Sequence, residues 1–370
     1  MKILLDIGHP AHVHYFRNFI RIMESKGHVF QITARDKEVT FDLLNKYRIP
    51  FISRGTGKKG LIGKILYVFQ GDWVVLKVAL KFKPDLFLSF GSTYPSHVAF
   101  LLRKPHITYD DTEHAVLEHI MCFPFCSVIL TPESYLKDLG KKQIRFSGFI
   151  ELCSLHPKYY KPDVSVLEML GLSAGEKFIL IRFVSWQASH DFQIKRIDIN
   201  KKIELVKELS KYIKVFISSE GEIPSQLEKY RLRISPEKMH DVLSLATLYI
   251  GEGATMASEC AMLGTPAIYV NELDAGTLRE QAGYDLILNL RNSDSLIKKA
   301  VDLLHKNNLK EEWNERYKKM LEEKIDVTAF MVWFVENYPF SFATMKANPE
   351  YQDTFKVQTT VNSRVHLVEE

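Results

Sequence analysis

Residues 251–270, Gly-Glu-Gly-Ala-Thr-Met-Ala-Ser-Glu-Cys-Ala-Met-Leu-Gly-Thr-Pro-Ala-Ile-Tyr-Val, constrain the fold of this chain more than any other stretch. The run 247–250 before them reads as a buried strand, Gly251 and Gly253 open a tight turn, 255–263 reads as a helix stopped by Gly264, and a strand restarts at Pro266. Strand, glycine turn, helix and strand in that order form a βαβ unit. The turn also suits an anion. Small residues at Gly251, Gly253 and Ala254, with Thr255 behind them, let backbone N–H groups and the positive end of the helix approach a diphosphate. Glu259, one turn further in, is placed to accept hydrogen bonds from ribose hydroxyls. Glycine in such a turn can equally serve the backbone alone.

The alternation continues on both sides. Strand-like runs at 3–7, 29–33, 86–90, 106–109 and 128–131 interleave with helical stretches at 14–25, 61–82 and 113–121. This predicts a Rossmann-like, doubly wound parallel sheet over 1–150. Residues 147–162 carry two prolines and no period, and read as the connection between domains. A second set follows, with strands near 178–184, 215–218, 248–250, 267–270 and 286–288 and helices at 201–212, 237–245, 254–263 and 293–305. That is a second α/β domain over 163–325, as a length of 370 residues favours. Past 309 the pattern is helical, through 311–323 and 327–337, and 326–344 offers Phe330, Val332, Trp333 and Phe334 as a face that crosses back onto the first domain. From 345 to 370 the chain is polar and aperiodic, and a loose tail is expected.

The apolar and charged fractions, 46% and 25%, are those of a soluble globular protein. A net charge of +4 without an arginine-aromatic signature argues against nucleic acid. Residues 54–83 hold seven basic residues against Asp72 among large apolar side chains; they read either as a core-facing helix with solvated lysines or as a peripheral contact with anionic lipid. No basic leader and no apolar run of bilayer length is visible, so the expected location is cytoplasmic, with 54–83 able to meet the inner face of the membrane. Four cysteines at 122, 126, 153 and 260 form no CxxC pair and are expected as buried free thiols.

Loops at the C-terminal ends of the predicted strands are where chemistry is expected, because a parallel sheet presents that edge to ligands. The first holds His9, His12 and His14, which lack the spacing and the partner ligands of a zinc site; no metal is expected. A histidine there can take a hydroxyl proton near neutral pH, which makes His12 a candidate base. The loop 108–114 concentrates Asp110, Asp111, Glu113 and His114; capping explains one acid, and Asp111 and Glu113 are the rival bases. Residues 91–97 could wall the acceptor. In the second half, Arg182 ends a strand where a guanidinium could neutralise a diphosphate, Ser219 ends the next, and Trp186 and His190 could reach a sugar. No DxD pair provides a divalent-metal site.

The stretch 251–270 resembles the donor-nucleotide motif of GT-B glycosyltransferases, in particular the peptidoglycan-building UDP-N-acetylglucosamine transferase, and more loosely that of the non-hydrolysing UDP-GlcNAc 2-epimerases. Gly253, Ala254, Ser258, Glu259, Gly264, Pro266 and Ala267 stand in the motif's places, and 239–246 resembles the short helix before it. His12, Val13 and Gly27 follow the order of that transferase's first loop, with Pro10 and Ala11 where it has glycines. Over its length the chain is similar to a prokaryotic family catalogued as domain of unknown function 354. The resemblance implies a GT-B fold, a nucleotide-sugar donor, UDP-linked, on the second domain, and transfer with inversion to a glycan or lipid-linked acceptor held by the first. It implies no cofactor and leaves oligomeric state open. Two other readings remain: a UDP-N-acetylhexosamine 2-epimerase-like enzyme, and a nucleotide-sugar-binding protein without catalysis.

Overall fold

The computed structural model describes residues 1–57, 60–184, 197–219 and 221–356. The first domain runs β1 (Lys2–Ile7), α1 (Pro10–Ser25), β2 (Val29–Asp36), α2 (Thr40–Lys46), β3 (Ile52–Thr56), α3 (Leu61–Phe82), β4 (Leu86–Phe90), α4 (Thr93–Leu101), β5 (His106–Tyr109), α5 (Val116–Cys122), β6 (Val128–Pro132) and β7 (Gln143–Phe146). Two short helices, α6 (Leu152–Leu155) and α7 (Val166–Met169), lead to the second domain. There follow β8 (Phe178–Phe183), α8 (Ile199–Leu209), β9 (Lys214–Ser219), α9 (Met239–Leu245), β10 (Leu248–Gly251), α10 (Ala254–Leu263), β11 (Ala267–Val270), α11 (Gly276–Gly283), β12 (Ile287–Leu290) and α12 (Leu296–Leu304). Three more helices close the described chain: α13 (Leu309–Glu323), α14 (Val327–Glu336) and α15 (Phe340–Ala347).

The two sheets have strand orders β3-β2-β1-β4-β5-β6-β7 and β12-β11-β10-β8-β9, and every ladder within them is parallel. The order reverses between β1 and β4 in the first sheet and between β8 and β10 in the second. At such a switch point adjacent loops leave in opposite directions and open a crevice. Sequence periodicity overlooked β3 and β7, short edge strands in which Arg54 and Arg145 interrupt the apolar pattern. The helix expected over 113–121 begins three residues later, leaving the acidic stretch as a loop.

Side-chain alternation sorts the core. Ile3, Leu5 and Ile7 belong to the large cluster under α1, whereas Leu4 packs with Val75, Val78 and Ala79 of α3 and Val98 and Ala99 of α4 on the opposite face. Thus α3 has a core-facing side, but its other side leaves Leu66, Phe69, Trp73 and Leu80 exposed. No helix among the described residues is long and apolar enough to cross a membrane.

The connection between the domains is buried over its first part, 147–156, where Phe149, Ile150, Leu152, Cys153 and Leu155 all sit in the large cluster, and exposed at 157, 158, 161 and 162. Against it lies α14, whose Thr328 Oγ1 donates to the Cys153 carbonyl at 3.0 Å and whose Glu336 meets His28 of the first domain at 3.0 Å. The tail expected from 345 is helical instead. Trp333 stacks on Tyr351 with centroids 4.8 Å apart, the Ser147 amide donates to Gln352 Oε1 at 2.7 Å, and Asp326 N donates to the Phe355 carbonyl at 2.9 Å. Aromatic residues spaced too irregularly to make a period are what anchor it. Residues 357–370 lie outside the described chain. Phe330 touches Phe146, Trp333, Phe334 and Phe355 and is fully buried. Phe330→Ala is therefore expected to lower the unfolding free energy by about 3 to 5 kcal/mol in urea titrations, a cavity cost that no surface change nearby should reproduce.

Candidate functional site

The floor of the cleft is a buried ion pair. Asp6, at the C-terminal end of β1, accepts from Arg54 Nε at 2.6 Å and Nη2 at 2.9 Å, and also from Thr33 Oγ1 and Ser92 Oγ, both at 2.6 Å. The registers that place Asp6 beside Thr33 and Ser89 bring these groups together. Four donors thus satisfy a carboxylate that has no access to water.

Above this floor a cavity of about 370 Å³ lies between the domains. The first domain contributes Gly8, His9, His12, Arg35, Arg54, the loop 91–94, Asp110, Asp111 and Glu118; the junction contributes Glu151; α10 contributes Ala254, Thr255 and Ser258. A second cavity of about 330 Å³ shares Thr112, His114, Ala254, Thr255, Ala275 and Leu278 with it and extends over Gly253, Tyr269, Val270 and Leu273 of the second domain. The N-terminus of α10 stands where the two meet, with no side chain capping its free amides. Backbone donors at the positive end of a helix hold anions.

Two acids in the larger cavity are held near neutrality. Burial, with Asp110 and Glu113 adding, pushes Asp111 up to about 7. Burial, with Asp111 adding, pushes Glu151 up to about 8. Near neutral pH this cavity thus offers one carboxyl that can give a proton and one that can take it. Glu151 escaped the sequence reading because it lies in the aperiodic junction; the available signal was a lone acid inside the apolar run Phe149-Ile-Glu-Leu-Cys153.

The histidines diverge. His9 caps α1 by accepting from Ala11 N at 3.2 Å, and burial together with Lys37 lowers it to about 4. His12 lines the cavity, its Nδ1 accepting a long bond of 3.4 Å from Gly8 N, and burial holds it well below the ordinary range. A neutral ring whose Nδ1 accepts carries its proton on Nε2, so His12 is arranged to donate rather than to act as the expected base. His14 turns away and packs against the His240 ring, centroids 4.3 Å apart and planes tilted by 56°.

Other expected residues take different places. Glu113 does not line either cavity: its Oε1 accepts from Leu136 N at 3.2 Å and from Gly276 N, across the domain interface, at 3.0 Å. It is a strap rather than a base. At Gly276 a Cβ would stand 1.7 Å from the Ser134 carbonyl oxygen, so only glycine allows this approach. Gly251 is buried, and a Cβ there would meet Tyr249 Oη at 2.1 Å; the residue makes room for a ring rather than for phosphate. Glu259 is buried behind α10 and pairs with His240 Nε2 at 3.2 Å, so ribose binding would require it to give up that partner. Arg182 donates to Ser218 Oγ at 2.7 Å and Ser219 Oγ accepts from Gly221 N at 3.2 Å, and neither is among the residues that line these two cavities. Gly253, Ala254 and Thr255 do. Trp186 and His190 lie outside the described residues.

Residues 1–338 match the family described as protein of unknown function (DUF354). The chain belongs to this family. It is 30% identical over 295 residues, 74% of its length and 83% of the relative's, to an uncharacterised protein of Methanocaldococcus jannaschii. Its fold is that of UDP-GlcNAc 2-epimerase from Neisseria meningitidis bound to UDP-GlcNAc, with TM-score 0.65, 13% identity and coverage of 90% of this chain and 99% of that one. It is equally that of a spinosyn rhamnosyltransferase complexed with spinosyn aglycone, with TM-score 0.61, 13% identity and coverage of 91% and 100%. The fold of this DUF354 protein is GT-B, two parallel-sheet domains facing across a cleft.

The acids give the protein a pH signature. Both titrate higher when folded than their ordinary values of 3.8 and 4.5, so the folded state binds more protons and loses stability as pH rises through about 7 to about 8. His9 and His12, lowered from 6.5, act in the opposite sense only below that value. Melting temperature is accordingly expected to fall between pH 6.5 and 8.5, and the Asp111→Asn, Glu151→Gln double variant to flatten the decline in a scanning-calorimetry series.

Proposed function

We propose that this DUF354 protein transfers a sugar, with inversion, from a UDP-linked donor to an acceptor hydroxyl held by the first domain. The observation that carries the reading is the meeting, in one cleft, of an uncapped helix N-terminus and a near-neutral carboxyl. The free amides of Ala254 and Thr255 receive the diphosphate, and the smaller cavity over Gly253, Tyr269 and Leu273 receives the nucleoside. Asp111, ionised in half its molecules near pH 7, takes the acceptor proton, and the Nε2–H of His12 orients the sugar or the acceptor. The amides of α10 stabilise charge as it develops on the departing diphosphate.

A second reading draws on Glu151. Two acids near neutrality beside a sugar can also remove and return a proton at carbon, the chemistry of a 2-epimerase. The two separate without knowing the acceptor: an epimerase converts UDP-N-acetylglucosamine alone into a second UDP-sugar, visible by proton NMR, whereas a transferase leaves it unchanged until an acceptor is supplied. Asp111→Asn is expected to slow turnover by about a hundredfold or more while UDP affinity moves little, and the wild-type rate should rise with pH through about 7. Turnover retained in Asp111→Asn with a loss in His12→Ala would return the base to His12.

Access to a lipid-linked acceptor is supported by the outer face of the first domain. Phe69 and Trp73 of α3, Phe100 and Leu101 of α4, and Leu117 and Ile120 of α5 are exposed, as are Lys77, Lys81, Lys83, Arg103 and Lys104, and Lys77 Nζ lies over the Trp73 ring at 5.0 Å. The neighbours of Leu117, His114 and Glu118, line the cleft. Sedimentation with vesicles containing phosphatidylglycerol should carry the protein down, less so as salt rises and much less for Trp73→Glu.

A further inference from the structure

A third cavity lies outside the cleft. It has a volume of about 570 Å³, within the range of small-molecule sites, and lies at the domain junction. All three parts of the protein meet there: α1, β2 and the end of α2 from the first domain, Tyr159 to Asp163 from the junction, and Glu237 to Asp241 from the second domain.

Five basic residues, Arg17, Arg21, Arg48, Lys161 and Lys238, and four acids, Glu24, Asp163, Glu237 and Asp241, line it. Arg17 and Arg21, one helical turn apart on α1, and Arg48, just past α2, line it, and none of the three pairs with an acid among the described residues. Arg17 lies over the Tyr47 ring at 5.0 Å, and its buried Nε has no hydrogen-bond partner. The acids on the walls are already engaged. Asp163 is held by Lys238 at 2.5 Å, Glu237 by Lys46 at 3.4 Å, and Asp241 accepts from Tyr160 Oη at 2.9 Å and from Asp163 N at 3.1 Å. Glu24 remains, exposed at the rim. Unpaired guanidiniums beside aromatic and aliphatic walls suit a compact anion, since their planar donors bind phosphate oxygens in pairs.

The cavity also touches the cleft machinery. His240, on its wall, is the partner of Glu259 on α10, and its ring packs at a tilt against His14, whose Nδ1 lies 3.4 Å from Tyr47 Oη. Arg17, Tyr47, His14, His240 and Glu259 thus form one chain of contacts from this cavity to α10.

We propose that this cavity is a second ligand site, taking a small phosphate-bearing molecule, and that its occupancy is transmitted to the cleft through Tyr47, His14 and His240. The ligand bridges both domains and the junction, so it fixes their relative setting. This goes beyond the transfer reaction and does not depend on it.

Inorganic pyrophosphate is the probe. The full-length protein is used in an Ala254→Asp background, where a carboxylate at the N-terminus of α10 blocks the cleft's own anion site without disturbing an exposed position that favours acids. Calorimetric titration should show one pyrophosphate per chain, weakened about tenfold or more by Arg21→Gln with Arg48→Gln. Both arginines are exposed, so the fold is not at risk. Proton NMR of the histidine rings should show His14 and His240 shifting on titration, and not in the arginine variant. Absence of binding, binding indifferent to Arg21 and Arg48, or unmoved His240 resonances would each overturn the proposal. None of these results depends on UDP binding, so a failure of the transferase reading is read separately.

Discussion

Everything at the cleft follows from two parallel sheets being made to face each other at a fixed distance. A parallel sheet sends all its functional loops to one edge, and a single such edge is a shallow surface. The Glu113 carboxylate, bonded to Gly276 N across the interface, brings the second edge within reach of the first. Only glycine at 276 tolerates the approach, and the Glu113 side chain accepts from the amide at the start of α11. A residue read from sequence as a base is therefore what sets the width of the site.

Closure has an electrostatic consequence. Groups that would be solvated on either domain alone are desolvated between them, and the result depends on how many partners each has. Asp6, buried within the first domain itself, takes donors from Arg54, Thr33 and Ser92. Asp111, with Thr112 Oγ1 as its side-chain donor at 2.8 Å and other acids nearby, is pushed towards neutrality, as is Glu151.

The fold was legible because it rests on local pattern: the αβ alternation, the Gly253 turn and the stop at Gly264 are written in adjacent residues. The site was legible only in part. Ala254 and Thr255 could be placed because a helix N-terminus is a local object. The roles of Glu113, Glu151, Glu259 and Gly251 depend on contacts with Gly276, Asp111, His240 and Tyr249, and only the last of these is a near neighbour in sequence. His12 shows the intermediate case, in which position at the end of β1 was readable but the tautomer, set by the Gly8 amide, was not. The tail failed for a related reason: Trp333, Tyr351 and Phe355 pack together without any period that a sequence scan could register.

The central claim is that the α10 N-terminus is a diphosphate site facing Asp111. A crystal structure of the protein grown with UDP tests it most directly. The account predicts phosphate oxygens within hydrogen-bond distance of the Ala254 and Thr255 amides, with the uracil in the pocket over Gly253 and Leu273 and the terminal phosphate on the Asp111 side. UDP bound elsewhere on the chain, or an α10 N-terminus left to solvent while the nucleotide occupies the cleft, would contradict it.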